Sequence, residues 1–286
     1  MSTIHIPSTG GKEPFWGPQT SKMNFCEEDY HFSSYTGEFI NTVTSFSYVF
    51  FGGYGLYRQF KTGTRVEISH CLSYISLMIV GIGSTLFHAS LKYPLQLVDD
   101  LSMLLGGGIM FHYFLTINSS TKVRFGLFSL ITIVLSLAVW AHISSGDSAL
   151  HQVVFGSMVV TVGFRTFSLL NRLIVDEALK SKLKQFGTIG YLTLIAAYVF
   201  WLVDVFACQP LRSLRHTIGL PSAWLFEFHG WWHILTCIGV YMYMVLAEFL
   251  QPAYWTSVLK PGQGFIALMK GPGILKKSDT VEKKRR

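Results

Sequence analysis

The sequence predicts an all-α membrane protein with seven transmembrane helices, and three observations lead there. Half of the 286 residues are hydrophobic and only 14% are charged, with a mean hydropathy of +0.39. That leaves too few ionic side chains to cover a water-facing surface. Seven stretches reach the ~20 mostly apolar residues needed to cross a hydrocarbon core, at about 39–57, 66–88, 95–117, 124–143, 149–171, 187–207 and 225–250. Lys and Arg also divide unevenly between alternate connections. The net charge of +7 does not indicate nucleic acid, because the basic residues lie between apolar runs and in the tail, not along one stripe.

Residues 1–37 form a polar segment with Pro7, Pro14 and Pro18, unlike a cleavable signal peptide, so the first span is expected to do the targeting. Residues 38–250 hold the seven helices, an odd number that puts the two ends of the chain on opposite sides. One set of connections, with the tail, carries seventeen Lys and Arg, among them Arg58, Lys61, Arg65, Lys122, Arg124, Arg172 and Lys184; the other carries five, Lys12, Lys22, Lys92, Arg212 and Arg215. By the positive-inside rule the N-terminus is lumenal and the C-terminus cytosolic. Residues 251–286, rich in Gly, Pro and Lys, read as a flexible basic tail. Its closing KKRR puts Lys283 and Lys284 where coat proteins would read a dilysine retrieval signal, which suggests endoplasmic reticulum or Golgi membranes; attraction to anionic lipid explains the same charges.

An ionisable group inside a span is costly and needs a partner or a task. The second span ends with Ser84 and His88, Asp99 and Asp100 follow just after Pro94 restarts a helix, and the seventh opens with His229 and His233 in HGWWH. Residues four apart share a helical face, so His229 and His233 can address one ion. A single intramembrane His is more often a hydrogen-bonded core residue, and the spacing alone does not decide. Orientation adds to it, because the second span runs toward the lumen while the third and seventh leave it, so all these groups share one depth. Three His ligands with an open fourth position suit a catalytic zinc, which lowers the pKa of water from ~16 toward ~7. Asp99 is then placed to move a proton, and Ser84 to hydrogen-bond an oxyanion.

Asn24, Glu27, Glu28 and Asp29 lie just ahead of the first span, with Glu38 at its mouth. Grouped oxygen donors suit calcium, while a solvated acidic stretch is the plainer alternative. His70, His112, His142, His151, Arg165, Asp204, Glu227 and Glu248 follow no common motif and are expected to be satisfied internally or near an interface. Trp231 and Trp232 read as packing or interface anchors.

Taken together, NFCEEDYHFSSYTGEFINT, GSTLFHASLKYPLQLVDDLSM and HGWWHILTCIG resemble the alkaline ceramidase family over about residues 13–250, and the fungal phytoceramidase and dihydroceramidase members most. The resemblance implies seven helices, a buried zinc, a calcium site, and hydrolysis of the ceramide amide bond to a sphingoid base and a fatty acid. It implies zinc ligation by His88, His229 and His233, with Asp99 and Ser84 at the reaction centre. The family's calcium set falls on Asn24, Phe25, Glu27, Asp29 and Glu38. Here Asn24 stands for an Asp and Asp29 for an Asn, which keeps the number of carboxylates, and Phe25 replaces a Trp but retains its main-chain carbonyl. The resemblance further implies a disulfide between Cys26 and Cys208, which an oxidising lumen permits; Cys71 and Cys237 read as packed thiols. Adiponectin- and progestin-type receptors share the Ser, His, Asp and HxxxH arrangement, and a haem-binding membrane protein is a third reading of the same histidines.

Overall fold

The structure, a computed structural model, describes residues 11–61, 67–146, 149–260 and 262–277. Pro7, Arg65 and the KKRR terminus lie outside the described residues. Among the described residues seven helices of 22 residues or more are present: α1 (Phe39–Lys61), α2 (Ile68–Ser90), α3 (Tyr93–Thr116), α4 (Thr121–Ser145), α5 (Ala149–Leu173), α6 (Glu177–Phe206) and α8 (Phe228–Phe249). A short helix, α7 (Cys208–Ile218), connects α6 to α8.

Five of the long helices, α2, α4, α5, α6 and α8, are long and apolar enough to cross a membrane. The expectation of seven such spans is met in helix number but not in composition. The two that fall short, α1 and α3, carry polar residues on faces turned into the protein: Asn41, Thr42, Ser45, Arg58 and Gln59 are buried on α1, and Gln96 and Ser102 on α3. Hydropathy counts such residues against a span wherever they point.

Helix boundaries follow local chemistry. Pro94 occupies the first turn of α3, where its missing N–H costs nothing. The sixth helix begins ten residues before the apolar run expected at 187, because Asp176 caps it by accepting from the Leu179 amide at 2.7 Å. Its first turns are charged outside and apolar inside, with Leu179, Leu183 and Phe186 buried.

Helix α8 is the hub, packing on α6, α1 and α2, while α1 also packs on α2, α2 on α3 and α3 on α5. The α1–α2 crossing is close: a Cβ at Gly55 would sit inside the Tyr74 ring, so only glycine allows that approach. By contrast α4 buries only Ala138 and His142, and Phe125, Phe128, Ile133, Leu137 and Trp140 are exposed on its outside. An exterior this apolar suits lipid contact.

The N-terminal segment closes one end of the bundle. Gly37 and Glu38 amides donate to the Ala89 and His88 carbonyls at the end of α2, and the Thr20 and Ser21 amides donate to Leu91. A disulfide joins Cys26 to Cys208 at the start of α7. At the other end the tail expected to be flexible is folded over 251–260 and 262–277. Strands β1 (Ser257–Leu259) and β2 (Leu275–Lys277) pair antiparallel, and the one-turn helix α9 (Phe265–Leu268) lies between them. Leu268 and Ile274 enter the main core, which gives this Gly- and Pro-rich stretch a reason to fold back.

Candidate metal centre

Two helix ends build the site. His88 lies in the last turn of α2, while His229 and His233 occupy the first two turns of α8. The ring centroids stand 4.6 Å apart for His229 and His233, 4.9 Å for His88 and His233, and 5.1 Å for His88 and His229. All three are buried, and one donor atom from each lies within 4.8 Å of the others. Among the described residues this is the one set of His, Cys, Asp or Glu donors that converges so closely.

Hydrogen bonds assign the tautomers. His88 Nδ1 donates to Glu38 Oε2 at 2.5 Å, which leaves Nε2 buried and without a hydrogen-bond partner. His233 Nδ1 lies 3.0 Å from Thr44 Oγ1, whose own proton goes to the Ile40 carbonyl, so the imidazole donates and its Nε2 carries no proton. His229 Nδ1 is likewise buried and unpartnered. Orphaned imidazole nitrogens in a water-poor interior are costly, and their convergence fits a tetrahedral zinc with one open position. Glu38 then plays the outer-shell part of fixing a ligand ring. Asp204 supports the other helix by accepting from the His229 amide at 3.2 Å and the Cys26 amide at 3.0 Å.

Ser84 and Asp99, the other two residues expected here, are both present. Ser84 Oγ is 3.5 Å from His233 Nε2 and accepts from Ser45 Oγ at 2.9 Å. Asp99 interacts with the Ser84 hydroxyl from α3. Together with His229 and His233 they line a cavity of about 490 Å³, whose remaining wall is mostly apolar, with Met103, Phe155, Val159 and Ile195.

The acidic residues ahead of α1 also gather. Asn24, Phe25, Glu27, Asp29 and Glu38 are all buried, which removes the solvated-stretch alternative. Asn24 Nδ2 donates to Asp29 Oδ2 at 3.0 Å, and the Phe25 amide to Glu38 Oε1 at 3.1 Å. The Glu27 carboxylate accepts from the Ile40 and Asn41 amides, at 2.7 and 2.9 Å, and so caps α1. Burial and the charges of Glu227 and Glu38 push the Glu27 carboxyl well above the usual range, and burial raises Glu38 to about 7. Carboxylates crowded in this way fit a hard cation, though less sharply than the histidines fit zinc. Phe25 also stacks on His229, with ring centroids 3.5 Å apart.

Sequence reasoning passed over the basic residues of α7. Arg212 donates to the Cys26 carbonyl at 3.0 Å and the Glu27 carbonyl at 3.2 Å, and Arg215 pairs with Glu227 at 2.6 Å. Only the strong amphipathicity of CQPLRSLRHTI hinted at such a role.

Comparison with known proteins adds a decisive observation: the family described as Ceramidase matches residues 17–259. The chain belongs to the ceramidase family. Relatives of this ceramidase-family chain include alkaline ceramidase YPC1 of Saccharomyces cerevisiae, 32% identical over 82% of this chain and 78% of the relative. Alkaline ceramidase 3 of Mus musculus is 29% identical over 85% and 88%, and the putative alkaline ceramidase dcd3A of Dictyostelium discoideum 27% over 86% and 92%. The Cys26–Cys208 bridge implied by the ceramidase resemblance is present.

Proposed function

We propose that this protein hydrolyses the amide bond of ceramides, releasing a sphingoid base and a free fatty acid, at a zinc ion held by His88, His229 and His233. The observation that carries this reading is the convergence of three buried imidazoles, two with unpartnered ring nitrogens, beside an apolar cavity that His229 and His233 line. Membership of the ceramidase family supports the substrate class, and phytoceramide and dihydroceramide are the substrates we expect.

When bound there, zinc supplies Lewis acidity and lowers the pKa of a water. The rest is done by the chain. The apolar wall holds an acyl chain entering from the bilayer and places the scissile carbonyl near Ser84. Asp99 takes a proton from the attacking water at its carboxyl and returns it to the departing amine nitrogen, which cannot leave as an anion. Ser84 donates from Oγ to the oxygen on which negative charge develops. Glu38 and Thr44 hold the ligand rings in the tautomers that expose their free nitrogens.

Calcium is proposed at Asn24, Phe25, Glu27, Asp29 and Glu38, as a tie between the N-terminal segment and the metal-bearing helix ends. We further infer that all seven long helices cross the membrane, with a lumenal N-terminal segment over 1–37, a catalytic bundle over 38–250 and a cytosolic basic tail. The disulfide supports an oxidising side for Cys26 and Cys208, and the distribution of Lys and Arg supports the orientation. Residence in the endoplasmic reticulum or Golgi, with coat-protein recognition of KKRR, completes the reading.

The test is release of sphingoid base from phytoceramide, dihydroceramide and ceramide by detergent-purified protein, with zinc content measured alongside. Wild-type turnover that disappears in a folded His229→Ala variant is expected. Zinc-loaded wild type that cleaves none of the three would sink the reading.

A further inference from the structure

The cavity beside the histidines carries a second polar cluster that the reaction above does not use. Asp100, His142 and His151 come from α3, α4 and α5 and meet at the end of the bundle that holds Asp99. Asp100 Oδ2 lies 3.2 Å from His142 Nε2 and accepts from Gln96 Nε2 at 3.3 Å. His151 Nε2 donates to the Asp100 main-chain carbonyl at 2.9 Å. Gln96 is itself anchored, because its Oε1 accepts from the Lys22 amide at 2.8 Å. Two side chains thus hold the Asp100 carboxylate, and a third holds its main chain.

Asp100, Gln96 and His151 line the same 490 Å³ cavity as Asp99, His229 and His233. The Asp100 side chain keeps 18% of its surface open, and both of its side-chain contacts are at the long end of hydrogen-bonding range. A carboxylate offers about four acceptor positions, so capacity remains for a donor inside the cavity. In a cavity whose other walls are largely apolar, that donor has to come from the ligand or from water that travels with it.

We propose that Asp100, held by Gln96, His142 and His151, is a specificity-determining acceptor for a hydroxyl group of the sphingoid base. The inference rests on the ceramidase reading above. Consecutive helical residues have Cα atoms about 3.8 Å apart and side chains about 100° apart around the axis, and Asp99 and Asp100 both reach the cavity. In a ceramide, two hydroxyls sit on the carbons flanking the one that bears the nitrogen. With Asp99 at that nitrogen, Asp100 is placed for a hydroxyl on a neighbouring carbon. A site built to bond a hydroxyl rejects the analogue lacking it far more strongly than an apolar wall can, since the acceptor is then left unpaired.

The experiment compares kcat/KM for dihydroceramide and for two analogues with the same acyl chain, one lacking the C1 hydroxyl and one lacking the C3 hydroxyl, in wild type and Asp100→Ala. Wild type is expected to favour dihydroceramide over at least one analogue by about ten- to a hundredfold, as for a lost hydrogen bond to a charged group. In Asp100→Ala that ratio falls toward unity. Should the alanine variant not fold, the isosteric Asp100→Asn is read in its place, with a partial fall in the same ratio. A wild type that does not discriminate, or a variant that loses all substrates in equal proportion, overturns the role of Asp100. Wild-type protein with no ceramide turnover overturns the ceramidase reading, and this inference with it.

Discussion

Replacing Glu38 with Gln tests the link between the N-terminal segment and the metal centre. The two Glu38 oxygens accept three hydrogen bonds: Oε1 from the Phe25 amide, and Oε2 from Asn41 Nδ2 and His88 Nδ1. A glutamine has one acceptor oxygen. Turned to keep His88 and Asn41, it sets its NH2 against the Phe25 N–H; turned the other way, it sets NH2 against both of the others. In the better case one bond is lost and a buried donor is left unpaired, a cost of about 1–3 kcal/mol, and His88 faces a neutral partner in place of a carboxylate. Loss of such an outer-shell carboxylate lowers metal affinity or activity about 10- to 100-fold. The assay is zinc competition against a chromophoric chelator with purified, folded protein, with sphingoid-base release measured in parallel. Zinc affinity equal to wild type in a folded Glu38→Gln protein would refute the claim that Glu38 orients His88.

At the opposite end of the bundle, Glu248→Ala leaves Arg58 buried without its bidentate partner, both Oε atoms of Glu248 being engaged at 2.8 and 3.2 Å. A loss of about 3–5 kcal/mol is expected, read as a fall in the thermal or denaturant midpoint in detergent; an unchanged midpoint would contradict it. In metal-free protein the stability that Glu38 itself contributes should fall as pH rises. Burial raises Glu38 to about 7, above its unfolded value of ~4.3, so the folded state holds this proton between those limits and the Glu38 contribution is lost across the interval. Thermal unfolding of wild type and Glu38→Gln with chelator from pH 4.5 to 7.5 checks the sign, and a wild-type advantage that grows across that range contradicts it.

Much of the site was legible because its chemistry is local or bound to helix geometry. The HxxxH spacing places His229 and His233 on one face, and the shared depth of His88, Asp99 and His229 follows from counting spans. The residues that hold those groups in place were not legible. Glu38 reads as one more acid before a span until α1 packs on α2 and brings it to His88. Asp204 follows no motif, yet it accepts from the His229 amide across the α6–α8 contact. Asp100, His142 and His151 come from three helices and look scattered along the chain. The tail misled in the opposite direction, since its Gly and Pro content outweighed the few apolar residues that dock it. A Cβ at Gly271 would run into the Arg58 guanidinium, a constraint that exists only once the tail meets α1 and α8.

By itself the sequence determined that the chain is helical and membrane-bound, and which residue types are available for metal chemistry. Hydropathy, helical periodicity and charge asymmetry act along the chain and need no knowledge of neighbours. Tertiary structure decided which imidazole nitrogens stay free, which carboxylate orients a ligand and which lines the cavity, and how much of the tail folds. Those outcomes depend on hydrogen bonds between groups up to nearly two hundred residues apart, such as Thr44 to His233 and Arg215 to Cys26, and only the packing of the helices brings such groups within reach.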